Sequence, residues 1–210
     1  MRKKLVIIGA GGHAKSVVDS IDEEEIELIG FVDAHKVGEH CGRPIFGKSV
    51  EDVPNYRDVY YIVGIGDVLA RRSWYRRICD MGLKTINVID KTAIISKTAK
   101  IGTANYIGKL AVINADAVIG DNNIINTKAL IEHECRVGSH THMSTSSLVN
   151  GNVVVGDGVF FGSCAMTAAQ VTLGEYSIIG AGGVVIKDIP EWTTAVGVPA
   201  KVIKTREKEE

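Results

Sequence analysis

A six-residue period runs through the second half of the chain and constrains the fold more than any other feature. Stepping by six from Ile95 to Val185 gives sixteen positions, of which fifteen are apolar and one is Thr167. The residue after the apolar position is glycine at eight of these steps and asparagine at three. Four places after the apolar position the residues are mostly small, as at Ala111 and Ala129.

This period is unlike the common regular structures, since neither an α-helix nor a long strand repeats every six residues. It predicts a short strand and a corner in each repeat, with one large and one small side chain pointing inward. Three such sides close a triangular coil of about eighteen residues, and about five coils stack at the ~4.8 Å strand spacing. We interpret the glycine and asparagine positions as corners with left-handed backbone angles, which these residues tolerate.

The first ninety residues have a different pattern, in which apolar strands alternate with helical stretches. We predict strands at 5–8, 28–33 and 59–63, a helix that ends near residue 25, and a basic helix that contains Arg71, Arg72, Arg76 and Arg77. This alternation indicates a small parallel α/β unit. The sequence therefore predicts an α/β domain at 1–90 and a repeat domain at 91–210 with a C-terminal cap, whose last residues, 204–210, are expected to fray.

The turn after the first strand is rich in glycine and matches part of a dinucleotide-binding fingerprint. Gly9, Gly11 and Ala14 occupy fingerprint positions, and Asp33 ends the second strand, where an acid contacts ribose in such folds. Three predicted strands make only half of a dinucleotide fold, which favours a mononucleotide diphosphate at the helix N-terminus over NAD. His13 at that terminus could contact a phosphate or a sugar. A tight turn that binds no ligand is the simpler alternative.

The second candidate site is an Ile-Glu-His-Glu-Cys-Arg segment within the repeats. The period places Ile131 and Cys135 inside the coil, which leaves His133 and Glu134 on the outer surface. The residues eighteen places before and after His133 are an alanine and Gly151, so the imidazole should lie in a notch between small neighbours. A histidine beside a carboxylate is suited to act as a general base, whereas the simpler alternative is a solvated surface histidine.

Charge and composition argue against several classes of function. The 24 Lys and Arg residues are balanced by 25 Asp and Glu, so no overall field favours binding to nucleic acid or to an anionic membrane. No apolar run approaches the ~20 residues that a membrane span needs, and we expect a cytoplasmic protein. Four widely separated cysteines, Cys41, Cys79, Cys135 and Cys164, are expected to be unpaired.

A zinc site is a further alternative, because His140 and His142 follow His133 closely. Hexapeptide-repeat carbonic anhydrases bind zinc through three histidines shared between subunits. Their pattern pairs a distant histidine with two that are five residues apart, whereas the later pair here is His-Thr-His. We therefore expect no metal.

Three segments together resemble one known family. They are the Gly-Ala-Gly-Gly-His-Ala turn, the Ile-Glu-His-Glu-Cys segment in register with the hexads, and a Gly-Val-Pro-Ala-Lys segment near the end. Over almost its whole length the chain resembles the bacterial nucleotide-sugar acetyltransferases of the bacillosamine pathway, which are grouped with sialic acid O-acetyltransferases. The resemblance implies a left-handed parallel β-helix of hexapeptide repeats, acetyl-CoA as co-substrate, and a homotrimer whose CoA groove lies between neighbouring β-helices.

The resemblance also implies roles for individual residues. His133 would be the catalytic base and Glu134 the carboxylate that polarises it. The nucleotide-sugar would be held by Gly11, Gly12, His13, Asp33, Ala34, Gly66 and Asp67. Acetyl-CoA would lie along His142, the backbone of Gly151, Ser163 and Ala181.

Two departures from the family pattern leave details open. Ala181 stands where a glycine is common, and Ala34 replaces a second acidic residue of some relatives, so the preferred nucleotide base stays open. The expected reaction is acetylation of the 4-amino group of a UDP-linked 4-amino-4,6-dideoxy sugar. A sialic acid O-acetyltransferase, a nucleotide-binding oxidoreductase and a non-catalytic scaffold are the alternatives.

Overall fold

The N-terminal part forms a mixed sheet with one helix on each side. The computed structural model describes residues 2–208. The strands of this part are β1 (Lys3–Ile8), β2 (Ile26–Val32), β3 (Glu39–His40), β4 (Arg43–Gly47), β5 (Tyr60–Val63) and β6 (Lys84–Thr85), and the helices are α1 (Gly12–Asp19), a 3-10 turn (Val50–Asp52) and α2 (Val68–Asp80). The strand order is β3-β4-β2-β1-β5-β6, and every pair except β3–β4 is parallel.

The two faces of β1 contact different helices. Leu5 and Ile7 belong to the same buried cluster as Val17 of α1, whereas Val6 and Ile8 pack with the residues of α2. Because side chains alternate across a strand, α1 and α2 lie on opposite faces of the sheet. This half-domain is therefore an α/β unit, as the alternating pattern predicts, with its sheet between the two helices.

The sequence prediction was wrong in two details of this domain. The sheet has six strands rather than three, because β3 and β4 form a short hairpin at one edge and β6 contributes only two polar residues at the other edge. Helix α1 ends at Asp19 and not near residue 25. The residues that follow form a turn in which the Asp22 side chain accepts a hydrogen bond from the Glu24 N–H, and this turn leads directly into β2.

The repeat domain is a triangular parallel β-helix. Its strands are β7 (Val88–Ile89), β8 (Ile94–Ile95), β9 (Lys100–Ile101), β10 (Tyr106–Ile107), β11 (Val112–Ile113), β12 (Val118–Ile119), β13 (Ile124–Ile125), β14 (Leu130–Ile131), β15 (Arg136–Val137), β16 (His142–Met143), β17 (Leu148–Val149), β18 (Val154–Val155), β19 (Phe160–Phe161), β20 (Met166–Thr167), β21 (Thr172–Leu173), β22 (Ile178–Ile179) and β23 (Val184–Val185). From β7 to β20, each strand pairs in parallel with the strand eighteen residues further on. The predicted fold class, an α/β half-domain followed by a left-handed β-helix, is confirmed.

Three faces and three corners describe this β-helix. The first face contains β7, β10, β13, β16, β19 and β22; the second contains β8, β11, β14, β17, β20 and β23; the third contains β9, β12, β15, β18 and β21. We name each corner by the two faces that it joins. The second–third corner therefore lies opposite the first face.

The interior follows the predicted pattern of one large and one small residue per hexad. Ile131 and Cys135, for example, are both fully buried, as are Ile113 and Ala117 one coil earlier. The last coil is capped by β24 (Thr193–Val196), which pairs with β22. β25 (Lys201–Thr205) then pairs antiparallel with β24. Residues 204 and 205 are thus paired rather than frayed, while Glu209 and Glu210 lie outside the described residues.

The glycines after the apolar positions do not have left-handed backbone angles, so that interpretation was wrong. The left-handed residue comes two places later at nearly every corner and is usually not glycine, as in Leu110, Lys128 and Gln170 with φ of 57°, 59° and 62°. The glycines are required by close stacking instead. A Cβ on Gly162 would lie 2.6 Å from the backbone nitrogen of Ala181 in the next coil.

The two domains are joined directly through the first face. Tyr106 and Ile124 of this face belong to the buried cluster of α1 and β1. The boundary drawn between residues 90 and 91 falls directly after β7, the first strand that pairs within the β-helix.

A buried arginine connects α2 to the β-helix by hydrogen bonds. Arg71 is 1% exposed and donates hydrogen bonds to backbone carbonyls on both sides of the domain junction. On the β-helix these are Asn122 O (3.1 Å), His140 O (2.7 Å) and Thr141 O (3.0 Å), and on the α/β domain they include Ile65 O (3.2 Å) and Gly66 O (3.0 Å). Burial lowers the pKa of Arg71 to about 10, so the side chain remains a cation at neutral pH.

Candidate functional site

The glycine-rich turn between β1 and α1 opens onto a cavity of about 360 Å³. Gly9 has a φ of 96°, and a Cβ there would lie 2.6 Å from the side chain of Ile65, so this position requires glycine. Gly11 caps α1 and Gly12 begins it, and at both positions a Cβ would meet no atom within 4 Å. Gly11, Gly12 and His13 all line the cavity, so the N-terminus of α1 is accessible to a diphosphate.

Asp33 is tied to the same turn by backbone hydrogen bonds. Its Oδ2 accepts the N–H of Ala10 at 2.7 Å, and its Oδ1 accepts the N–H groups of His35 and Lys36 at 2.9 Å each. Burial acts to raise the pKa of Asp33, but these three bonds outweigh it and lower the pKa below its ordinary value. Asp33 is thus an ionised anchor of the turn, and Oδ2 keeps acceptor capacity for a ligand hydroxyl.

Two partly buried histidines lie beside this cavity. His13 packs edge-on against Tyr106 at 5.1 Å and lies 6.3 Å from His142 between ring centroids. Burial is the main reason that the pKa of His13 falls to about 3 and that of His142 to about 4. Both imidazoles are therefore neutral at physiological pH.

The hydrogen bonds of these histidines differ. Nδ1 of His142 donates to the carbonyl of Gly66 at 3.3 Å, and Asn126 Nδ2 donates to Nε2 at 3.4 Å. Nε2 of His13 is buried and has no hydrogen-bond partner among residues 2–208. His13 therefore keeps an imidazole nitrogen that a bound ligand could satisfy.

The structure brings most of the predicted nucleotide-sugar residues together. Gly11, Gly12, His13, Asp33, Ala34 and Gly66 all line the same cavity. Asp67 instead caps α2, where its side chain accepts the N–H of Ala70 at 2.9 Å. It lines a neighbouring cavity of about 450 Å³, together with Gly66, His142 and Phe160.

His133 and Glu134 form an exposed pair at the second–third corner. Their side chains are 55% and 57% exposed, and Nδ1 of His133 lies 3.1 Å from Oε2 of Glu134. Hydrogen bonds from His133, and then from Asn152, lower the pKa of Glu134. The carboxylate is therefore ionised at neutral pH and accepts a hydrogen bond from Nδ1–H, which leaves the lone pair of the imidazole on Nε2.

Gly151 lies directly beneath the imidazole, in the next coil. A Cβ on Gly151 would lie 2.7 Å from Cε1 and 2.8 Å from Nε2 of His133, so any larger residue would collide with the ring. The N–H of Gly151 donates no hydrogen bond within the part of the chain that the structure describes. A free donor and a free imidazole nitrogen thus adjoin the same notch.

The residues expected along acetyl-CoA are divided between different parts of the β-helix. Gly151 belongs to the second–third corner, whereas Ser163 and Ala181 belong to the first–second corner, on the other side of the second face. Ser163 Oγ lies 2.9 Å from Ser144 Oγ at that corner. His142 is on the first face, beneath the α/β domain. One chain therefore does not bring these four residues together.

Sequence reasoning missed three residues that organise these sites. Arg71 holds the loop that contains Gly66, Asn126 bonds to His142, and Asn152 bonds to Glu134 at 3.2 Å. Nothing local distinguishes Arg71 from the other arginines of its helix, and the partners of Asn126 and Asn152 lie sixteen and eighteen residues away. The eighteen-residue offset from Glu134 to Asn152 is the one relation that the repeat itself could have revealed.

The histidines at 133, 140 and 142 do not converge within the chain, since they lie at different corners or on the first face. In residues 2–208 no group of three His, Cys, Asp or Glu side chains has the arrangement of a metal site. The same residues contain no helix with the length and apolar character needed to cross a bilayer. The four cysteines, which all lie in this range, are unpaired, as the sequence predicts.

Comparisons with known proteins agree on one group of enzymes. Residues 4–78 match the family model described as the PglD N-terminal domain. The fold is similar to a perosamine N-acetyltransferase from Caulobacter crescentus, solved as a histidine mutant with CoA and GDP-perosamine, at 35% identity and a TM-score of 0.89 over 96% of this chain and 97% of that one. It is also similar to the acetyltransferase domain of PglB from Neisseria gonorrhoeae with acetyl coenzyme A, at 30% identity and a TM-score of 0.91 over 97% of this chain and 100% of that one.

Two further similarities are more limited. WeeI from Acinetobacter baumannii is 21% identical with a TM-score of 0.85 over 96% of this chain and 100% of that one, which shows a common fold. An uncharacterised protein of Acanthamoeba polyphaga mimivirus is 33% identical over 97 residues. That match covers 46% of this chain but only 19% of the viral protein.

Proposed function

Because this chain belongs to the hexapeptide-repeat nucleotide-sugar N-acetyltransferases, and is therefore an acetyl-CoA-dependent acyltransferase, we propose that it acetylates the 4-amino group of a UDP-linked 4-amino-4,6-dideoxy sugar with His133 as the base. The similar enzymes confirm the predicted family and the predicted use of acetyl-CoA. The observation that carries the proposal is the geometry at the second–third corner. There Nε2 of His133 is free over Gly151 while Nδ1 is held by Glu134.

The proposed reaction follows from this geometry. Nε2 of His133 accepts a proton from the acceptor amine as the nitrogen attacks the thioester carbonyl, and Glu134 stabilises the imidazolium that forms. The N–H of Gly151 donates to the oxygen on which negative charge develops. When the tetrahedral intermediate collapses, the new C–N bond is retained and the C–S bond breaks. The imidazolium then protonates the CoA sulfur, which restores the neutral base.

The positions of the two half-sites support an active site shared between chains. The nucleotide cavity lies over the first face, and His133 lies at the corner opposite that face, so the body of the β-helix separates them. We therefore place a sugar held in the cavity of one chain against the His133 of another chain. The proposed assembly is a homotrimer, in which each chain contributes its cavity to one site and its base to the next.

An apolar stripe on the second face supports the same assembly. The outward residues of this face are Ile94, Val112, Leu130, Leu148, Met166 and Val184. Ile94 is 63% and Met166 is 42% exposed in the single chain. The third face instead carries Lys100 and Arg136 at equivalent positions. Contact between second faces would remove the apolar stripe from water and would place corners of neighbouring chains together.

Turnover of variants tests the role of His133. We expect His133→Ala to lower kcat by about 10²- to 10⁴-fold, the usual contribution of a general base, with folding unaffected because the side chain is exposed. Arg136→Ala, an exposed substitution in the same coil, serves as the control. UDP- and GDP-linked amino sugars and sialic acid are assayed in parallel to identify the acceptor sugar and its nucleotide base. A His133→Ala enzyme with near-normal kcat would refute the assignment.

Mixed trimers test the sharing of the site. Chains with His133→Ala keep the nucleotide cavity, and chains with Gly11→Val keep the base, so each homotrimer should be nearly inactive. If cavity and base come from different chains, random co-assembly of equal amounts of the two variants restores about a quarter of the sites, those in which both half-sites are intact. No recovery in purified mixed trimers would mean that each site lies within one chain.

A further inference from the structure

The corner that carries His133 contains a second polar contact. Oε2 of Glu134 accepts a hydrogen bond from Nδ2 of Asn152 at 3.2 Å, in addition to its 3.1 Å contact with Nδ1 of His133. Asn152 is eighteen residues after Glu134, so it occupies the same position one coil further on. Its backbone N–H also donates to the carbonyl oxygen of His133 at 3.0 Å. Asn152 thus contacts both members of the pair.

Glu134 needs such a contact to stay in place. Its side chain is 57% exposed, and a free glutamate on a surface loses side-chain entropy when it is held in one conformation. The equivalent residue one coil earlier is Asp116, whose carboxylate cannot donate a hydrogen bond. Of the two stacked neighbours of Glu134, Asn152 is therefore the one able to hold the carboxylate.

The position of this carboxylate decides which imidazole nitrogen is free. A neutral imidazole carries one proton, and a carboxylate at Nδ1 keeps that proton there. If the carboxylate moves away, the proton can reside on Nε2 instead. In that form the nitrogen next to Gly151 carries a hydrogen and cannot accept one from a substrate.

We propose that Asn152 is a positioning residue, which holds Glu134 against Nδ1 of His133 and so keeps Nε2 available as the base. This inference rests on the proposed function of His133. Asn152 acts through Glu134 and is given no contact with either substrate. Its loss should therefore lower the fraction of competent enzyme without weakening substrate binding.

A series of substitutions at this corner separates positioning from backbone effects. Asn152 has a left-handed φ of 58°, so any replacement by alanine adds some backbone strain. Gln170 has a φ of 62° at the same position one coil further on. It is exposed and makes no side-chain hydrogen bond in the described part of the chain, which makes Gln170→Ala the matched control. Gln170 also demonstrates that glutamine fits this backbone, so Asn152→Gln is the variant that keeps an amide donor.

We expect kcat of Asn152→Ala to fall about 5- to 10-fold relative to Gln170→Ala, with KM for both substrates within about twofold. Asn152→Asp, which has the same shape but places a carboxylate beside Glu134, should fall further. Asn152→Gln should recover to within about threefold of the unmodified enzyme. If Asn152→Ala equals the Gln170→Ala control, or if Asn152→Asp retains as much activity as Asn152→Gln, the inference is wrong.

The tautomer of His133 gives a readout that does not depend on turnover. Nitrogen-15 NMR of the imidazole in the intact trimer should detect the Nδ1–H form in the unmodified enzyme and in Gln170→Ala. In Asn152→Ala a mixture with the Nε2–H form is expected, and an unchanged tautomer would overturn the inference. Full activity of His133→Ala would instead refute the proposed function, so the two failures are distinguishable.

Discussion

Replacement of Arg71 by alanine is the substitution from which we expect the largest loss of stability. The guanidinium is 1% exposed, and its hydrogen bonds join α2 and the Gly66 loop to a corner of the β-helix. Truncation leaves buried carbonyl oxygens on both sides of the junction without a donor. Each unsatisfied buried group costs about 1–3 kcal/mol, reduced where water can enter.

The net effect on the free energy of unfolding is smaller than the sum of these bonds. Burial of the cation opposes folding, as the lowered pKa of about 10 indicates. The carbonyl oxygens of Asn122, His140 and Ile65 lose their donor, while the cost of burying the cation is removed, so we expect a net loss of about 3–5 kcal/mol. In a chain of this size Tm falls by about 2–4 °C for each kcal/mol of lost stability, so we expect Tm to decrease by about 6–20 °C.

Calorimetry of Arg71→Ala beside Arg76→Ala measures this effect with a control on the same helix. Arg76 is exposed, so its substitution should change stability by less than about 0.5 kcal/mol. Arg71→Met keeps most of the apolar stem and should resemble Arg71→Ala, because the loss comes from the donors. Equal Tm values for the Arg71→Ala and Arg76→Ala proteins would refute the reasoning. An early, separate transition of the α/β domain would support it further.

Two other predictions concern the substrate cavity and the assembly. Gly11→Val fills the open space before the N-terminus of α1, so nucleotide-sugar affinity should fall at least about tenfold while acetyl-CoA affinity changes little. Calorimetric titration of both ligands measures the two affinities. A parallel loss of both would contradict the prediction. Leu148→Asp puts a charge into the apolar stripe and should convert the proposed trimer into monomers, as measured by sedimentation velocity. Val154→Asp on the third face should leave the trimer intact. A trimeric Leu148→Asp protein would argue against an interface between second faces.

The β-helix was predictable because its signal is repeated many times. An error at one hexad would be corrected by its neighbours, so the inward position of Ile131 and the outward position of His133 followed from the period alone. The notch beneath His133 followed in the same way, since Gly151 lies one coil away. The β3–β4 hairpin has no such redundancy, because its short strands alternate little and lie at an edge of the sheet.

Other features depend on contacts that sequence spacing does not encode. Arg71 belongs to a helix with three further arginines, and nothing local distinguishes the buried one from the exposed ones. Its partners on the β-helix are backbone carbonyls about fifty to seventy residues away, and every residue type has such a carbonyl. The left-handed corner residues were misplaced by two positions for a related reason. These positions hold residues as different as leucine, lysine, tyrosine, asparagine and glycine, so no single residue type marks them.

The uninterrupted eighteen-residue register restricts how a chain of this kind can change its length. Deleting a single residue between two coils would shift every later side chain to a neighbouring slot, so that large inward groups would meet corners and polar corner groups would enter the interior. Removing or duplicating eighteen residues would instead leave each remaining side chain in its own slot. Gene lineages that carry this architecture should therefore lengthen or shorten their β-helix by whole coils, with single-residue insertions and deletions confined to the α/β domain and the C-terminal cap.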